Sequence, residues 1–353
     1  MNDTDYLRNK CSSSPIESLM EEARQISWKY FGKNIELFYS YYQDQSNLTQ
    51  FTKYAKERYK IDYINEIKNK LVNVTPIISL SGQRCELRCD HCRTITLRAM
   101  YSAESPQKLY HSAKKFYLEG SKGILLSAGS RKDGSSIIGH EFNDTIKRIK
   151  NEFSMYIGVH TGYVSRERVK EIKELGVDSI LVDVIGHTDT LREVYHIDRP
   201  IRVIEDVINY AFEENIDVIP HICIGLHYGE IKGEYDAIDM LAKYPLKYLT
   251  FIILVPTPGT PMASLNPPDI TSVTRVFAYG RFKLPKVIQS LGCTRPIGIY
   301  GEKAELMAIK LGCNRIAGIS SDLTIAKCKE LGLNFNLGSH CCMIGNGMFN
   351  KQI

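Results

Sequence analysis

The 353-residue chain has a single tryptophan, Trp28, no block of like charge, and no apolar stretch approaching the roughly 20 residues that cross a bilayer. A net charge of +5 without clustering argues against a dedicated nucleic-acid binder. MNDTDYLRNK, the first ten residues, contains no apolar leader, so a cytoplasmic location away from membranes is the expectation. The remainder, 43% apolar and 24% charged, is an ordinary folded composition whose length suits one large domain or two. Cysteine is plentiful instead: ten are spread along the chain. In a reducing compartment disulfides are rare, so these are buried thiols or ligands.

Ser14-Pro15-Ile16-Glu17 reads as a capping box with proline at the first helical position. Ile16, Leu19, Met20, Ala23 and Ile26 follow at helical spacing, so residues 1–75 are expected to form an N-terminal helical extension. From Pro76 onward short apolar runs alternate with amphipathic segments. The runs are Ile77–Leu80, Gly123–Leu126, Tyr156–Val159, Ile180–Val184, Val218–Ile224, Leu249–Val255, Ile297–Tyr300 and Ile316–Ile319. Most are apolar on both faces, as buried parallel strands are. Leu-Gly pairs at Leu175-Gly176, Leu291-Gly292, Leu311-Gly312 and Leu331-Gly332 read as helix ends closed by glycine. The expected class is α/β: a (β/α)8 or nearly closed TIM-like barrel over 76–337, with an open doubly wound sheet as the alternative. Residues 338–353 are expected as a C-terminal tail closing over the barrel.

Cys85, Cys89 and Cys92 follow the first barrel run with the spacing C-x3-C-x2-C. Three thiolates on one loop can each hold one iron of a [4Fe–4S] cubane and leave the fourth iron open. A zinc site usually needs four ligands, and no fourth lies nearby. At this motif the sequence resembles the radical S-adenosylmethionine (SAM) superfamily. The resemblance implies a SAM-binding [4Fe–4S] cluster and a SAM cofactor, with His91 packed against adenine. Leu126-Ser127-Ala128-Gly129-Ser130 stands where that family has a Gly-Gly-Glu-like turn for the methionine amino group, here without the glutamate. Ser127 and Gly129 are expected at that place. Cys223-Ile224-Gly225-Leu226 resembles the family's adenine-supporting Gly-x-Ile-x-Gly region, with its first glycine replaced, and puts Gly225 there.

Five further strings narrow the resemblance to a biotin-synthase-like branch, the two-protein lipoyl synthases found mainly in archaea. They are Ile26-Ser27-Trp28-Lys29-Tyr30-Phe31-Gly32-Lys33, His160-Thr161-Gly162, Ile219-Pro220-His221-Ile222-Cys223-Ile224-Gly225-Leu226, Pro256-Thr257-Pro258-Gly259-Thr260 and Cys293-Thr294-Arg295-Pro296-Ile297-Gly298. The resemblance implies sulfur insertion into an octanoyl chain on a lipoyl domain or H protein. A paralogous radical SAM partner and an electron donor such as ferredoxin go with it. Other radical outcomes stay open: biotin-type sulfur insertion into a free small molecule, carbon-skeleton rearrangement, or a metal-binding barrel without radical chemistry.

Relatives of this kind draw sulfur from a second iron–sulfur cluster. Its candidate ligands are Cys341, Cys342 and Cys293, the first two because adjacent thiols have little packing rationale, with Cys11 as a remote addition. Cys313 and Cys328 read as structural, and Cys223 as equally suited to core or cavity. Arg295 suits either a cluster or a buried ion pair. Asp183 interrupts an apolar strand, and His160 and His221 occupy others, so each is a candidate for cofactor or substrate. Tyr228 and Glu230 read as plain loop residues.

Overall fold

The computed structural model describes residues 3–38, 75–319, 321–338, 341 and 343–344. Eleven strands form one sheet: β1 (Asn34–Phe38), β2 (Ile77–Ser79), β3 (Tyr101–Ser102), β4 (Gly123–Ser127), β5 (Tyr156–His160), β6 (Ser179–Asp183), β7 (Asp217–Ile224), β8 (Tyr248–Ile253), β9 (Ile288–Leu291), β10 (Arg315–Ala317) and β11 (Asn334–Gly338). Their order is β11-β1-β10-β9-β8-β7-β6-β5-β4-β2-β3, and the paired strands are all parallel. The fold is therefore α/β, a curled parallel sheet open between β3 and β11, a partial barrel rather than a closed one. Helices cover its outer face. Pro106–Leu118 buries Leu109, Ala113 and Phe116, and Arg202–Glu213 buries Val203, Ile204, Val207, Ile208 and Ala211, each along one stripe.

The N-terminal region departs from the expectation of helices alone. Helices Asp3–Ser13 and Ile16–Phe31 are followed by β1, which inserts between β10 and β11. The capping box does not form: Pro15 is the cap residue and offers no side-chain bond. Leu19, Met20 and Ala23 are buried as their spacing implies.

Ile297–Tyr300 is not a strand. Ile297 is exposed and Ile299 begins the helix Ile299–Lys310, while the true strand, β9, lies upstream. Leu291 accordingly ends a strand rather than a helix, whereas Gly176, Gly312 and Gly332 do close helices with positive φ. Tyr39–Lys60 and Cys342 lie outside the described residues.

The tail also departs from expectation. Cys341, Met343 and Ile344 share an interior core with Phe38, Leu125, Leu181, Ile219, Tyr248 and Ala317, against which Ile77, Tyr156, Ile288 and Cys293 pack. Ile77, Tyr156, Tyr248 and Ile288 open their strands, so this part of the tail plugs the barrel floor. The cysteine loop leaves β2 at the opposite end. Gly158 makes room: a Cβ there would lie 2.8 Å from Met343 Sδ. Arg315 Nη1 donates to Ile344 O at 3.0 Å and Nε to Glu36 at 2.6 Å, joining β10, β1 and the tail. Met343 and Ile344 are fully buried, which stabilises the plug by about 1.5–3 kcal/mol for each side chain.

Candidate active site

The loop after β2 is fixed by backbone bonds to the turn after β4. Leu80 N donates to Ser127 O at 2.8 Å and Glu86 N to Ser130 O at 2.8 Å. Ser81 Oγ accepts from Gly129 N at 2.9 Å. Gly129 has no room for a side chain, since a Cβ would come 2.0 Å from Arg84 O and 2.6 Å from Cys85 Cβ. The resemblance puts Gly129 at the turn for the methionine amino group, and its α-carbon packs against the cysteine loop itself. Further along, Asp90 N donates to Val194 O at 2.9 Å, and Cys92 N to Cys89 O at 3.0 Å. Arg88, Arg93 and Thr94 adopt positive φ, an unfavourable conformation for non-glycine residues held here by surrounding contacts.

These contacts turn Cys85, Cys89 and Cys92 toward one cavity of about 290 Å³. Ser130 N donates to Cys85 Sγ at 3.4 Å, and Cys92 Sγ lies 3.4 Å from Thr96 Oγ1. Burial, and after it the charges of Cys92 and Cys85, push the Cys89 thiol well up. Three thiolates there need a positive group among them, which an iron–sulfur cluster supplies. Among the described residues no three His, Cys, Asp or Glu side chains converge on a single metal ion. A cubane spaces its ligands more widely, one per iron. His91, next to Cys92, packs at 5.2 Å against Tyr195 with the rings tilted by 44°, its pKa lowered by burial and its buried Nδ1 without a partner. Donor set, wide spacing and orphaned imidazole nitrogen together fit a [4Fe–4S] cluster with SAM beside it.

Other predicted residues meet at the same cavity: Ser127 and Gly129, Asp183 at the end of β6, His160, His221 and Cys223. Tyr195 donates to Asp183 Oδ2 at 3.4 Å, and Tyr163 donates to Asp183 O at 3.1 Å. Burial leaves the Cys223 thiol protonated, its pKa well up. Cys293 and Cys341 line the cavity too, and burial followed by the Cys341 charge pushes Cys293 up to about 12.

Gly225 is not in the cavity wall. Its φ of +77° requires glycine, its Cβ position is filled by Pro268, and its N–H donates to Glu234 Oε1 at 2.8 Å. Cys11 is buried on the helix Asp3–Ser13, in the outer layer where Arg275 donates to its carbonyl, so it does not reach the cavity. Cys313 and Cys328 are buried away from it, Cys313 Sγ against Gln289 O and Arg315 O at 3.2 Å each. Arg295 forms the buried ion pair: Nη2 lies 2.6 Å from Glu305 Oε1, and further N–H groups donate to Gly292 O, Ala317 O and Gly318 O. Tyr228 is more than loop filler, because its hydroxyl donates to Asp90 Oδ2 at 2.9 Å and braces the cysteine loop.

Tyr195, Tyr163 and Ser130 were not anticipated. Nothing local marks the two tyrosines; Ser130 directly follows Gly129 and could have been suspected. A larger cavity of about 720 Å³ on the outer side of β5 has no cysteine in its wall, and its Arg168 is paired with Glu171.

In comparison with known proteins, residues 79–241 match the Radical SAM superfamily. The chain carries a radical SAM domain. Radical SAM domains take a [4Fe–4S] cluster and SAM, the cofactors that the three loop cysteines and the cavity fit, and the chain is similar to biotin synthases. The biotin synthase of Ruthia magnifica subsp. Calyptogena magnifica is 27% identical over 189 residues, covering 49% of this chain and 56% of that protein. The biotin synthase of Nitrosopumilus maritimus is 21% identical over 271 residues, covering 74% and 79%. Among solved structures, methylornithine synthase (PylB) superposes with a TM-score of 0.63 at 13% identity, covering 94% of each chain. The FeFe-hydrogenase maturase HydG from Carboxydothermus hydrogenoformans gives 0.59 at 15% identity, covering 95% of this chain and 76% of that one. At these identities the structural likeness concerns the fold alone. Among the described residues no helix is long and apolar enough to cross a membrane.

Proposed function

We propose that this radical SAM enzyme inserts sulfur into a protein-bound octanoyl chain, as one component of a two-protein lipoyl synthase. The observation that carries the reading is a second group of thiols, Cys293 and Cys341, in the same cavity as the three loop cysteines. Their place beside the three loop thiols suits ligands to a second cluster. Relatives named biotin synthase support sulfur insertion as the reaction class. A free small molecule in place of the octanoyl chain is the other acceptor.

In this reading Cys85, Cys89 and Cys92 hold the [4Fe–4S] cluster, which when bound supplies the electron that cleaves SAM to a 5′-deoxyadenosyl radical. Cys293 and Cys341, with Cys342 as the sequence suggests, would hold a second cluster, a source of sulfide. His91 and Tyr195 form an aromatic shelf for adenine. Ser127 and Asp183 offer oxygen acceptors to the methionine ammonium and the ribose hydroxyls. Aliphatic walls from Leu125, Leu181, Ile252 and Leu254 keep water from the radical. An acidic one-electron carrier such as ferredoxin, a paralogous radical SAM protein and a cytoplasmic setting complete the proposal.

The test is anaerobic incubation with SAM, dithionite and an octanoylated lipoyl-domain peptide, with and without the paralogue, read by intact mass. Sulfur added to the octanoyl chain is the expected result. An unchanged peptide alongside sulfur transfer to dethiobiotin would replace this acceptor with the small molecule.

A further inference from the structure

Asp90 stands between Cys89 and His91 on the cysteine loop, its side chain only 14% exposed. Its backbone N–H is bonded to Val194 O, and its Oδ1 accepts from His196 Nε2 at 3.1 Å and from Arg93 Nη2 at 3.0 Å. One residue thus grips both chain neighbours of Tyr195, while its own neighbour His91 packs against the ring of that tyrosine. The other oxygen, Oδ2, accepts from the Tyr228 hydroxyl, which reaches in from the loop after β7. That loop is joined in turn to the segment after β6: Lys232 Nζ donates to Asp189 Oδ2 at 2.9 Å, and His227 Nδ1 lies 3.2 Å from Thr190 Oγ1. Asp90 fastens this pair of loops to the cysteine loop. Each of the three contributes to the cavity wall, His91 from the first, Tyr195 from the second and Leu226 from the third.

Neither partner of the carboxylate has a relaxed backbone. His196 and Tyr228 hold φ of +61° and +52°, conformations that non-glycine residues keep only where contacts fix them. Both side chains are exposed, so little apolar burial holds them in place, and hydrogen bonds to a charged acceptor are the stronger kind. We infer that Asp90 is a positioning residue, which sets the His91 ring against Tyr195 and so fixes the shelf that receives the adenine of SAM. This inference rests on the adenine shelf proposed above and is independent of the octanoyl reading.

The test is equilibrium dialysis of SAM against the anaerobic holoenzyme, with iron content and amide hydrogen exchange followed alongside. Asp90→Ala should keep wild-type iron yet bind SAM roughly tenfold less tightly. Amides of residues 194–197 and 226–229 should exchange faster in that variant. Asp90→Asn keeps one acceptor oxygen and should recover most of the affinity. Tyr228→Phe removes one contact of the same group, so it should weaken SAM less than Asp90→Ala and add little when combined with it. If Asp90→Ala does not fold, the double variant His196→Ala, Tyr228→Phe removes two of the three side-chain contacts and should show the same loss. Wild-type SAM affinity in Asp90→Ala or in that double variant overturns the inference. Iron lost in step with SAM from both Asp90→Ala and Asp90→Asn would make Asp90 a support of the cysteine loop alone, and also overturns it. Unchanged SAM affinity in His91→Ala would overturn the shelf itself, and this inference with it.

Discussion

Two groups of cysteines face one cavity, and the chain assembles them by opposite routes. Cys85, Cys89 and Cys92 come from a single loop, with three left-handed backbone positions absorbing its tight course. Cys293 and Cys341 come from the end of β9 and from the tail, and meet only once the tail has been drawn into the barrel. The first set is a local device transplanted on one loop; the second is a product of the whole fold. Chemistry divides along the same line, with radical generation at the mouth and sulfur supply proposed deeper down.

The largest expected effect tests the independence of the loop. Changing Cys85, Cys89 or Cys92 to Ala should abolish 5′-deoxyadenosine formation, because in the proposed site each thiolate would hold its own iron. Product at the wild-type rate from the triple variant would remove the radical site from this loop. Next comes the deeper pair. Cys293→Ala and Cys341→Ala should each strip iron beyond that of one cubane and stop sulfur transfer, yet leave SAM cleavage within roughly twofold. Unchanged iron and sulfide would make the pair structural and erase the division of labour.

A third experiment asks whether the mouth carries a proton that the floor lacks. Glu234 is buried, with Oε1 bound to Gly225 N and Oε2 unpartnered, and burial raises its pKa to about 7. The folded state therefore holds a proton that the unfolded chain releases near pH 4.3. Its stabilising effect is complete below that pH and is lost as pH rises toward about 7, up to about 3 kcal/mol. Urea unfolding of Glu234→Gln should lack this decline; parallel pH profiles for the two proteins would show that Glu234 does not titrate there. The smallest effect is expected from Gly129→Ala. Its new Cβ must displace Arg84 and Cys85, costing about 1–3 kcal/mol and lowering occupancy of the first cluster while sparing the second. Normal iron content and stability would mean that the loop tolerates a shift that the present contacts oppose.

What the sequence made legible follows the same contrast. The cysteine loop could be read because its ligands lie within eight residues (Cys85 to Cys92) and follow an apolar run. The central strands could be read because both of their faces are buried, as at β4, where every residue is inaccessible. Strand β9 escaped notice because its interior is Gln289 and Ser290, polar residues buried by tertiary contacts such as the Cys313 thiol against Gln289 O. Ile297 and Ile299 misled in the other direction, as apolar residues left exposed where a turn enters a helix. Strand β1 is exposed at Asn34 and carries Glu36, whose charge makes sense only beside Arg315, 279 residues away. Tyr195 became visible only when β6 and the loop after it were set beside His91.

That distance has a consequence for the history of each molecule. On the ribosome β1 is made well before both of its neighbours, β10 and β11, with 279 residues separating Glu36 from Arg315. Until then it waits with two unpaired edges, the state in which strands are most prone to pair with the wrong chain. Arg315 closes the wait by engaging Glu36 and the tail carbonyl of Ile344 together. Emergence of the segment from β10 to Ile344 thus becomes the event that seals the floor and brings Cys341 to Cys293. Newly made chains can offer a finished triad of loop cysteines to the iron-delivery machinery well before the deeper thiols exist as a pair, so the order of assembly is written into the order of the strands.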